Sequence, residues 1–471
     1  MEISSVLDRQ VELPVSKSIA ARVLIINALR HCCAKDYDVA TNELTEKSDN
    51  HNPSAINCLG NQRFQNFRLF LETVLQQACC DDTDVMARAL ASDSECIDVG
   101  AAGTAMRFLT AYYACQEGRT VTLDGSERMR QRPIGQLVDA LRQMGASIEY
   151  LGDEGFPPLR IKGRELHGGH ITMRGDVSSQ FVSAVLMIAP LAGGVTLSLE
   201  DDIVSRPYID MTLALMRHYG IEACWHGDVI DVPNSDRSGN AAVVGGQGSP
   251  CPYIIEGDWS AASYWFGLKV LLPGSRITLF PLRQDSIQGD RAIVEMMAPL
   301  GVKTQFMDGD RVLLFSDETD GVAKSPCKQQ TAELSESYDL CDSVPTMTRY
   351  ERDMSGTPDL VPTMAVTLCL LRMPFRLTGV ATLRIKESDR LESLRVELDK
   401  LGYSLEVGDN SLSYNGNHAE IKGEVTLNPH DDHRLAMALS LAATRHKIIM
   451  QNAEVVAKSY PDFWKSLMNN A

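Results

Sequence analysis

The sequence predicts an α/β protein of two similar lobes, and three features of the chain point to that fold class. A unit of one apolar-periodic helix followed by a two-strand hairpin recurs four times. A stretch rich in Gly, Ser and Asn, residues 234–250, separates two of these copies from the other two. Hydrophobic residues make up 44% of the 471 residues, with ordinary Gly and Pro usage, which excludes a disordered or collagen-like chain.

Each copy of the repeated unit ends its helix at a glycine and then alternates apolar and polar residues. The four helix stops are Gly145, Gly220, Gly301 and Gly402. A glycine directly after the last apolar helical position predicts a left-handed helix cap, and the turns GDEG, HGD, DGD and GDN predict hairpins. The caps lie 75, 81 and 101 residues apart. Because these intervals exceed the about 20 to 50 residues of solenoid repeats, we expect subdomains packed around shared helices.

Composition and charge exclude several classes of protein. Lys and Arg number 45 against 62 Asp and Glu, so the formal charge is −17, which disfavours nucleic acid or an anionic membrane as partner. No run approaches the about 20 apolar residues that a spanning helix needs, and no targeting segment precedes the patterned sequence, so we expect a cytoplasmic protein. Two polar segments, 35–65 and 317–352, are predicted as insertions or loops outside the core.

Seven short stretches place cations or hydroxyls beside the ends of predicted helices, most of them where an apolar helix begins. They contain LPVSKSIAAR, GAAGTAMR, SERMRQRP, GDVSSQF, IKESDRL, DDHRLAMA and AKSYPDF. Free backbone N–H groups and the helix dipole at a helix start form a receptor for phosphate or carboxylate. In a chain of charge −17, seven such stretches predict a cleft that gathers anions, and the predicted ligand is small and highly anionic.

These stretches, together with SRPYIDMT and EGDWSAASY, resemble those of the 5-enolpyruvylshikimate-3-phosphate synthase family, in the family's order and over nearly the whole chain. The resemblance implies a two-lobed inside-out α/β barrel in which each lobe has three copies of a βαβαββ-type unit. It implies that residues 1–13 plus 250–471 form lobe 1, that residues 14–249 form lobe 2, and that the active site lies in the cleft between the lobes.

The resemblance also implies the reaction. The family transfers the enolpyruvyl group of phosphoenolpyruvate to the 5-hydroxyl of shikimate 3-phosphate and releases phosphate, in the shikimate pathway to chorismate and the aromatic amino acids. It implies no metal ion and no organic cofactor. The expected partners are therefore two small anionic substrates, with no nucleic acid and no membrane, and we expect a monomer.

Site residues carry over by matching position. The matched catalytic residues are Lys17, Asp359 and Glu387. The residues matched to shikimate 3-phosphate binding are Lys17, Ser18, Arg22, Ser178, Ser179, Gln180, Ser205, Tyr208, Asp359 and Lys386. The residues matched to phosphoenolpyruvate binding are Lys17, Gly103, Arg128, Gln180, Arg390, Arg434 and Lys458. Lys17 would contact both ligands, Asp359 would accept the proton of the attacking hydroxyl, and Glu387 would exchange a proton with the methylene carbon.

Other residues in the matched stretches have structural interpretations or depart from the family. Arg107 and Arg132 are expected to brace loops, and His433 is expected to be a hydrogen-bonded histidine at a helix start. Ala101 and Thr382 replace frequent asparagines, and Phe108 replaces a common proline; all three bear on affinity more than on the reaction. Because Gly103 is kept, the resemblance implies ordinary sensitivity to glyphosate, which occupies the phosphoenolpyruvate site.

Two alternatives stay open on the sequence. The sister enolpyruvyl transferase that acts on UDP-N-acetylglucosamine shares the fold, but it carries a reactive cysteine in the loop that matches residues 125–133, where this chain has none. A non-catalytic anion-binding relative is suggested by Ala101, Thr382 and the two long insertions, whereas the retention of Lys17, Asp359 and Glu387 argues against it.

Overall fold

The structure is a computed structural model that describes residues 1–3, 6–30, 80–234, 253–316 and 349–468. The predicted insertion at 35–65, most of the one at 317–352 and most of the Gly-, Ser- and Asn-rich stretch lie outside the described residues. Within those ranges no helix is long and apolar enough to cross a lipid bilayer.

The four helix-and-hairpin units are confirmed. Each predicted cap glycine has a positive φ, 91°, 80°, 87° and 85° along the chain, a conformation that glycine adopts without the strain of a side chain. The hairpin after each cap is antiparallel. The paired strands are β4 (Ser147–Tyr150) with β5 (Leu159–Lys162), β8 (Cys224–His226) with β9 (Val229–Val232), β11 (Lys303–Met307) with β12 (Arg311–Phe315), and β15 (Tyr403–Val407) with β16 (Ser411–His418).

Each of these hairpins belongs to a four-stranded sheet of the same design, in which a parallel pair is followed by the hairpin. The strand orders are β1–β10–β12–β11, β2–β3–β5–β4, β6–β7–β9–β8 and β13–β14–β16–β15. The parallel pairs are β1 (Asp8–Glu12) with β10 (Arg276–Phe280), β2 (Cys96–Asp98) with β3 (Thr120–Asp124), β6 (Gly169–Arg174) with β7 (Val195–Glu200), and β13 (Tyr350–Asp353) with β14 (Phe375–Thr378). A fifth sheet is the parallel pair β17 (Glu424–Leu427) and β18 (Lys447–Met450). The described residues thus hold four sheets of the repeated design and one parallel pair, against the six units predicted.

The most apolar helices lie inside the cores, as expected for an inside-out barrel. α1 starts at Lys17 and is described as far as Arg30. The other helices are α2 (Asp81–Ala91), α3 (Gly103–Ala114), α4 (Glu127–Arg130), α5 (Gly135–Gln143), α6 (Ser179–Ile188), α7 (Arg206–His218), α8 (Trp259–Leu271), α9 (Ile293–Met297), α10 (Val361–Leu370), α11 (Arg390–Lys400), α12 (His433–Ser440) and α13 (Phe463–Met468). Every residue of α8 and α10 is buried, and a helix that is apolar on all sides can only sit in a core.

The buried apolar residues form two separate cores. One contains residues from Ile19 to Ile255, and the other contains Ile3 to Leu13 together with Trp259 to Leu467. Over the described residues the chain therefore crosses between the cores twice. The two crossing segments run side by side, because the backbone N–H of Ser16 donates to the carbonyl of Glu256 at 2.8 Å. We propose that these cores are the interiors of the two lobes; the boundaries at residues 13 and 250 stay predictions.

Candidate active site

One cleft between the two cores brings together fourteen of the sixteen predicted site residues. They are Lys17, Ser18, Arg22, Gly103, Ser178, Ser179, Gln180, Ser205, Tyr208, Asp359, Lys386, Glu387, Arg390 and Arg434. The other two, Arg128 and Lys458, line an adjoining cavity that shares Glu387 and Arg132 with the first. Residues separated by more than 400 positions in sequence thus face a common space.

Helix starts surround this cleft, as the seven stretches predict. Lys17 and Gly103 are the first residues of α1 and α3. The Ser178 side chain caps α6 and accepts from the backbone N–H of Gln180 at 3.3 Å. Asp432 caps α12 in the same way and accepts from the N–H of Arg434 at 2.9 Å. The positive ends of these helix dipoles add to the side-chain cations and favour anionic ligands.

A buried arginine organises the carboxylates of the cleft. The Arg390 guanidinium lies 2.7 Å from Asp432, 2.8 Å from Glu387 and 3.0 Å from Asp359. Asp359 also contacts Arg434 at 2.7 Å. This network holds guanidinium groups in fixed orientations, which suits planar, bidentate recognition of carboxylate or phosphate.

The same cations keep both predicted acid–base carboxylates ionised. Burial alone would raise the pKa of Asp359, but Arg434 and Arg390 outweigh it and hold the pKa below its usual range. For Glu387, burial is likewise outweighed, by Lys458 at 3.5 Å and by Arg390, and its pKa lies well below the ordinary value. Each group is therefore ionised in the resting site.

Lys17, at the start of α1, is paired with Asp82 at 3.0 Å. Burial acts most strongly, against the charged ammonium, but Asp82 and smaller contributions that include Glu387 together outweigh it, so the pKa of Lys17 is raised. The lysine is therefore an ammonium at neutral pH and can donate hydrogen bonds to an anionic ligand.

Several contacts join the two lobes across the cleft. The Arg128 guanidinium donates to the carbonyls of Glu387 at 3.1 Å and Lys386 at 3.2 Å. The Lys458 ammonium donates to the carbonyl of Ala101 at 3.0 Å. A backbone contact adds to these, from the N–H of residue 205 to the carbonyl of residue 355 at 2.9 Å. The structure thus holds the lobes in contact around the site.

Tyr208 forms a further bridge between the lobes. Its hydroxyl lies 3.0 Å from a carboxylate oxygen of Asp290 and 3.0 Å from one of Asp359. Burial, and then the neighbouring Asp359 charge, raise the pKa of Asp290 to about 7. Asp359 is ionised, whereas a pKa of about 7 leaves Asp290 only partly protonated near neutral pH, so the phenol proton is shared between two neighbouring carboxyl groups.

Two buried arginines beside the cleft differ in the hydrogen bonds that their guanidinium groups make. Arg107 donates to the carbonyl of Gly103 at 3.0 Å and to that of Pro133 at 3.3 Å, so the prediction that it braces its loop is confirmed. Arg132 lines both cavities, and its Nε atom is buried without a hydrogen-bond partner. Its expected bracing contacts are not found within the described part of the chain, so that prediction is wrong for Arg132.

Sequence reasoning missed several residues of the cleft wall. Asp82, Thr104, Arg132 and His433 line it, and Asp290 contacts it through a tyrosine. Asp82 and Asp290 gave little sequence signal, because an acid in DDTD or in QGD is typical of a helix start or a turn.

The prediction of a hydrogen-bonded His433 is wrong. Neither of its ring nitrogens has a hydrogen-bond partner among the described residues. Burial, reinforced by the charge of Lys17, lowers the pKa of His433 well below the usual value. The ring is therefore neutral. The predicted position of His433 at the start of a helix is confirmed, since it is the first residue of α12.

The three departures from the family pattern have defined surroundings. Thr382 lines the cleft, so a hydroxyl stands where an amide is frequent. Ala101 contributes its carbonyl to Lys458 and needs no side chain for that contact. Phe108 is buried, and its ring centroid lies 5.4 Å from the guanidinium carbon of Arg22, which gives that cation an aromatic face.

The chain forms two lobes of helix-and-sheet units, which meet at a cleft of paired cations and carboxylates. This fold and site are those of a two-lobed α/β enzyme that acts on small anionic substrates. A family model for EPSP synthase (3-phosphoshikimate 1-carboxyvinyltransferase) matches residues 1–467. The chain therefore belongs to the EPSP synthase family, and it is a transferase of the shikimate pathway to the aromatic amino acids.

Similar proteins agree with this assignment. The 3-phosphoshikimate 1-carboxyvinyltransferase of Bacteroides fragilis strain YCH46 is 41% identical over 461 residues, which cover 97% of this chain and 94% of that protein. The enzyme of the same name from Yersinia pseudotuberculosis serotype O:3 is 32% identical over 459 residues, with the same coverage. Among solved structures, EPSP synthase from Acinetobacter baumannii superposes with a TM-score of 0.60 at 18% identity, covering 99% of this chain and 96% of that one. The enolpyruvyl transferase NikO from Streptomyces tendae gives 0.59 at 14% identity, covering 99% and 95%.

Proposed function

We propose that the cleft carries out the family's reaction with the division of roles that follows. Phosphoenolpyruvate and shikimate 3-phosphate bind side by side, and the enolpyruvyl group passes to the 5-hydroxyl with release of phosphate. The observation that supports this most strongly is the convergence of fourteen matched residues on one cleft. Since one chain supplies every matched residue, we propose that the enzyme acts as a monomer, in the cytoplasm where phosphoenolpyruvate is made.

The hydroxyl-rich side of the cleft holds shikimate 3-phosphate. Residues 178–180 lie together at the start of α6 and would receive its phosphate on hydroxyls, an amide and free backbone N–H groups. Ser18, Arg22, Ser205 and Tyr208 complete this side. The Arg22 guanidinium itself donates to the Ser18 carbonyl at 2.8 Å, so it also fixes the start of α1.

The cation-rich side of the cleft holds phosphoenolpyruvate. Arg390 and Arg434 are oriented by Asp432 and Asp359, and their planar groups suit the substrate carboxylate. The remaining matched cations and the backbone of the matched glycine would surround the phosphate; they are Lys17, Gly103, Arg128 and Lys458. These cations stabilise the negative charge that develops on the departing phosphate.

Arg132 belongs with this group, although the sequence suggested otherwise. Arg128 already donates to two backbone carbonyls, whereas the Arg132 guanidinium has no hydrogen bond or ion pair among the described residues. A Cβ atom added to Gly103 would lie 2.5 Å from Nη1 of Arg132, so the guanidinium rests directly on that glycine. An unpaired charge withdrawn from water is costly, and the substrate phosphate would remove that cost.

Proton transfers occur on both sides of the reacting carbon. Asp359 takes the proton of the 5-hydroxyl as its oxygen attacks C2 of phosphoenolpyruvate, while C3 gains a proton to become a methyl group. The tetrahedral intermediate then loses a methyl proton and breaks its bond to phosphate, which restores the double bond. Glu387 and Lys17 are the groups placed to carry the proton to and from C3. Such positioned proton transfers contribute about 10²- to 10⁴-fold each.

Kinetics with single substitutions test this division. We expect Arg434→Met to raise the KM for phosphoenolpyruvate and Ser178→Ala to raise the KM for shikimate 3-phosphate, each by about tenfold or more and each with the other KM nearly unchanged. Arg395→Met is the matched control for the arginine, because Arg395 is an exposed partner of Glu392 outside the cleft. The proposal is wrong if the two effects are exchanged or if neither substitution changes a KM.

A further inference from the structure

A buried carboxylate outside the cleft fixes the loop that leads into α12. Glu397 is the eighth residue of α11 and is 0% exposed. One of its oxygens accepts from the backbone N–H of Asn428 at 2.9 Å, and the other lies 2.9 Å from Nε2 of His430. Lys400 supplies the countercharge at 2.7 Å. This single carboxylate thus ties two residues of the loop to the helix.

The loop needs an external contact because its backbone is strained. His430 and Asp431 have φ values of 51° and 56°, in the left-handed region that residues with side chains rarely adopt. The N–H of Asp432 donates back to the carbonyl of Pro429 at 3.0 Å, which closes a tight turn around these two residues. Strained conformations of this kind persist only where the surrounding structure enforces them. The buried bonds from Glu397 supply that enforcement.

The loop ends at the residues that orient the phosphoenolpyruvate side of the cleft. Asp432 caps α12 and pairs with Arg390 at 2.7 Å, and Arg434 follows two positions later. His430 and Asp431 line the adjoining cavity. α11 therefore holds the loop at two points, through Arg390 at its first residue and through the glutamate seven residues on. A loop fixed at both points presents its cations in one orientation.

We infer that Glu397 is a positioning residue for phosphoenolpyruvate, which acts by holding residues 428–432 in the strained turn that orients Arg434. Within the described part of the chain, Glu397 itself lines neither cavity, so its effect on substrate passes through the loop. The inference rests on the proposed placement of the two substrates. Displacements of about 1 Å in a site of this kind can cost about 10²-fold in rate.

Steady-state kinetics with substitutions of Glu397 test the inference. We expect Glu397→Ala to raise the KM for phosphoenolpyruvate about 10- to 100-fold, with the KM for shikimate 3-phosphate within threefold of wild type. Glu397→Gln should recover part of the loss, because its amide keeps an acceptor for the N–H of Asn428. A residue with a purely structural role would change both KM values alike and would show no such selectivity.

A second substitution keeps the test decisive if Glu397→Ala fails to fold. His430→Asn removes the ring that meets Glu397, while asparagine tolerates the left-handed backbone better than most residues. We expect a rise of about threefold or more in the KM for phosphoenolpyruvate alone. Glu392→Ala is the matched control, because Glu392 lies on the same helix but is exposed and paired with Arg395; its KM values should equal those of wild type.

The outcomes separate this inference from the placement on which it rests. An unchanged KM for phosphoenolpyruvate in both Glu397→Gln and His430→Asn would overturn the inference, as would an equal rise of both KM values. Arg434→Met is measured alongside. If it raises the KM for phosphoenolpyruvate while the loop variants do not, only the role of Glu397 is wrong; if no variant does so, the substrate placement is wrong too.

Discussion

Replacing Asp359 with asparagine tests the proposed chemistry directly, because this one carboxylate interacts with three donor side chains that come from both lobes. Arg434 lies 2.7 Å away, Arg390 3.0 Å and the Tyr208 hydroxyl 3.0 Å. Asparagine keeps the shape and one oxygen but removes both the charge and the ability to accept the proton of the attacking hydroxyl. We expect kcat to fall by about 10²- to 10⁴-fold, while the KM for shikimate 3-phosphate changes little.

The same substitution has a predictable effect on stability. Arg390 keeps Asp432 and Glu387 as partners, but buried Arg434 loses its only carboxylate partner among the described residues, so we expect a loss of about 3 kcal/mol of unfolding free energy. The folded-state pKa of Asp359 is depressed, so its contribution is present above the unfolded value of about 3.9 and is lost as pH falls. Asp359→Asn should therefore show a smaller loss of stability on acidification below about pH 4 than the wild type.

Phosphate release measures the kinetic effect, and denaturant unfolding at several pH values measures the stability effect. Asp285→Asn is the control, since Asp285 is an exposed partner of Arg283 outside the cleft. A kcat within threefold of wild type for Asp359→Asn would refute the role of this carboxylate as the base.

Two further predictions concern the glycine at the phosphoenolpyruvate side and the acid behind Tyr208. Wild-type enzyme should lose activity in micromolar to sub-millimolar glyphosate, and full activity at millimolar glyphosate would contradict this. Gly103→Ala should weaken the binding of both glyphosate and phosphoenolpyruvate, because a Cβ would displace the Arg132 guanidinium. Asp290 holds its proton in the fold up to a pKa of about 7, so its contribution to stability is complete below about pH 4 and is lost as pH rises through about 7. Asp290→Asn should reduce the loss of unfolding free energy between pH 5 and pH 8, which unfolding in urea at the two pH values measures. A loss equal to that of the wild type would contradict the protonation of Asp290 in the fold.

Local chemistry made much of this fold predictable. Gly145 and its three counterparts mark their helix caps because only a residue without a side chain takes that backbone conformation freely. The alternating strands that follow them fix which face is buried, so the pattern of residues alone places the hairpins. Lys17 and Arg434 were found because cations at helix starts are unusual in so acidic a chain.

Contacts between distant segments were not predictable from sequence. The partner of Lys17 is Asp82, 65 residues away, and Tyr208 meets Asp290 only because the two lobes approach each other. Arg132 illustrates the same limit. Its sequence context suggested that it stabilises a loop, and only the packing shows that Arg107 makes those loop contacts instead. Local pattern thus identifies candidate groups, whereas pairing and burial decide which of them remain free for a ligand.

The choice of acceptor tests the central claim most directly. Purified wild-type protein is supplied with phosphoenolpyruvate and either shikimate 3-phosphate, UDP-N-acetylglucosamine or no acceptor, and inorganic phosphate is followed continuously. We predict stoichiometric phosphate release with shikimate 3-phosphate alone. Release with UDP-N-acetylglucosamine and none with shikimate 3-phosphate, or equal release without any acceptor, would contradict the account.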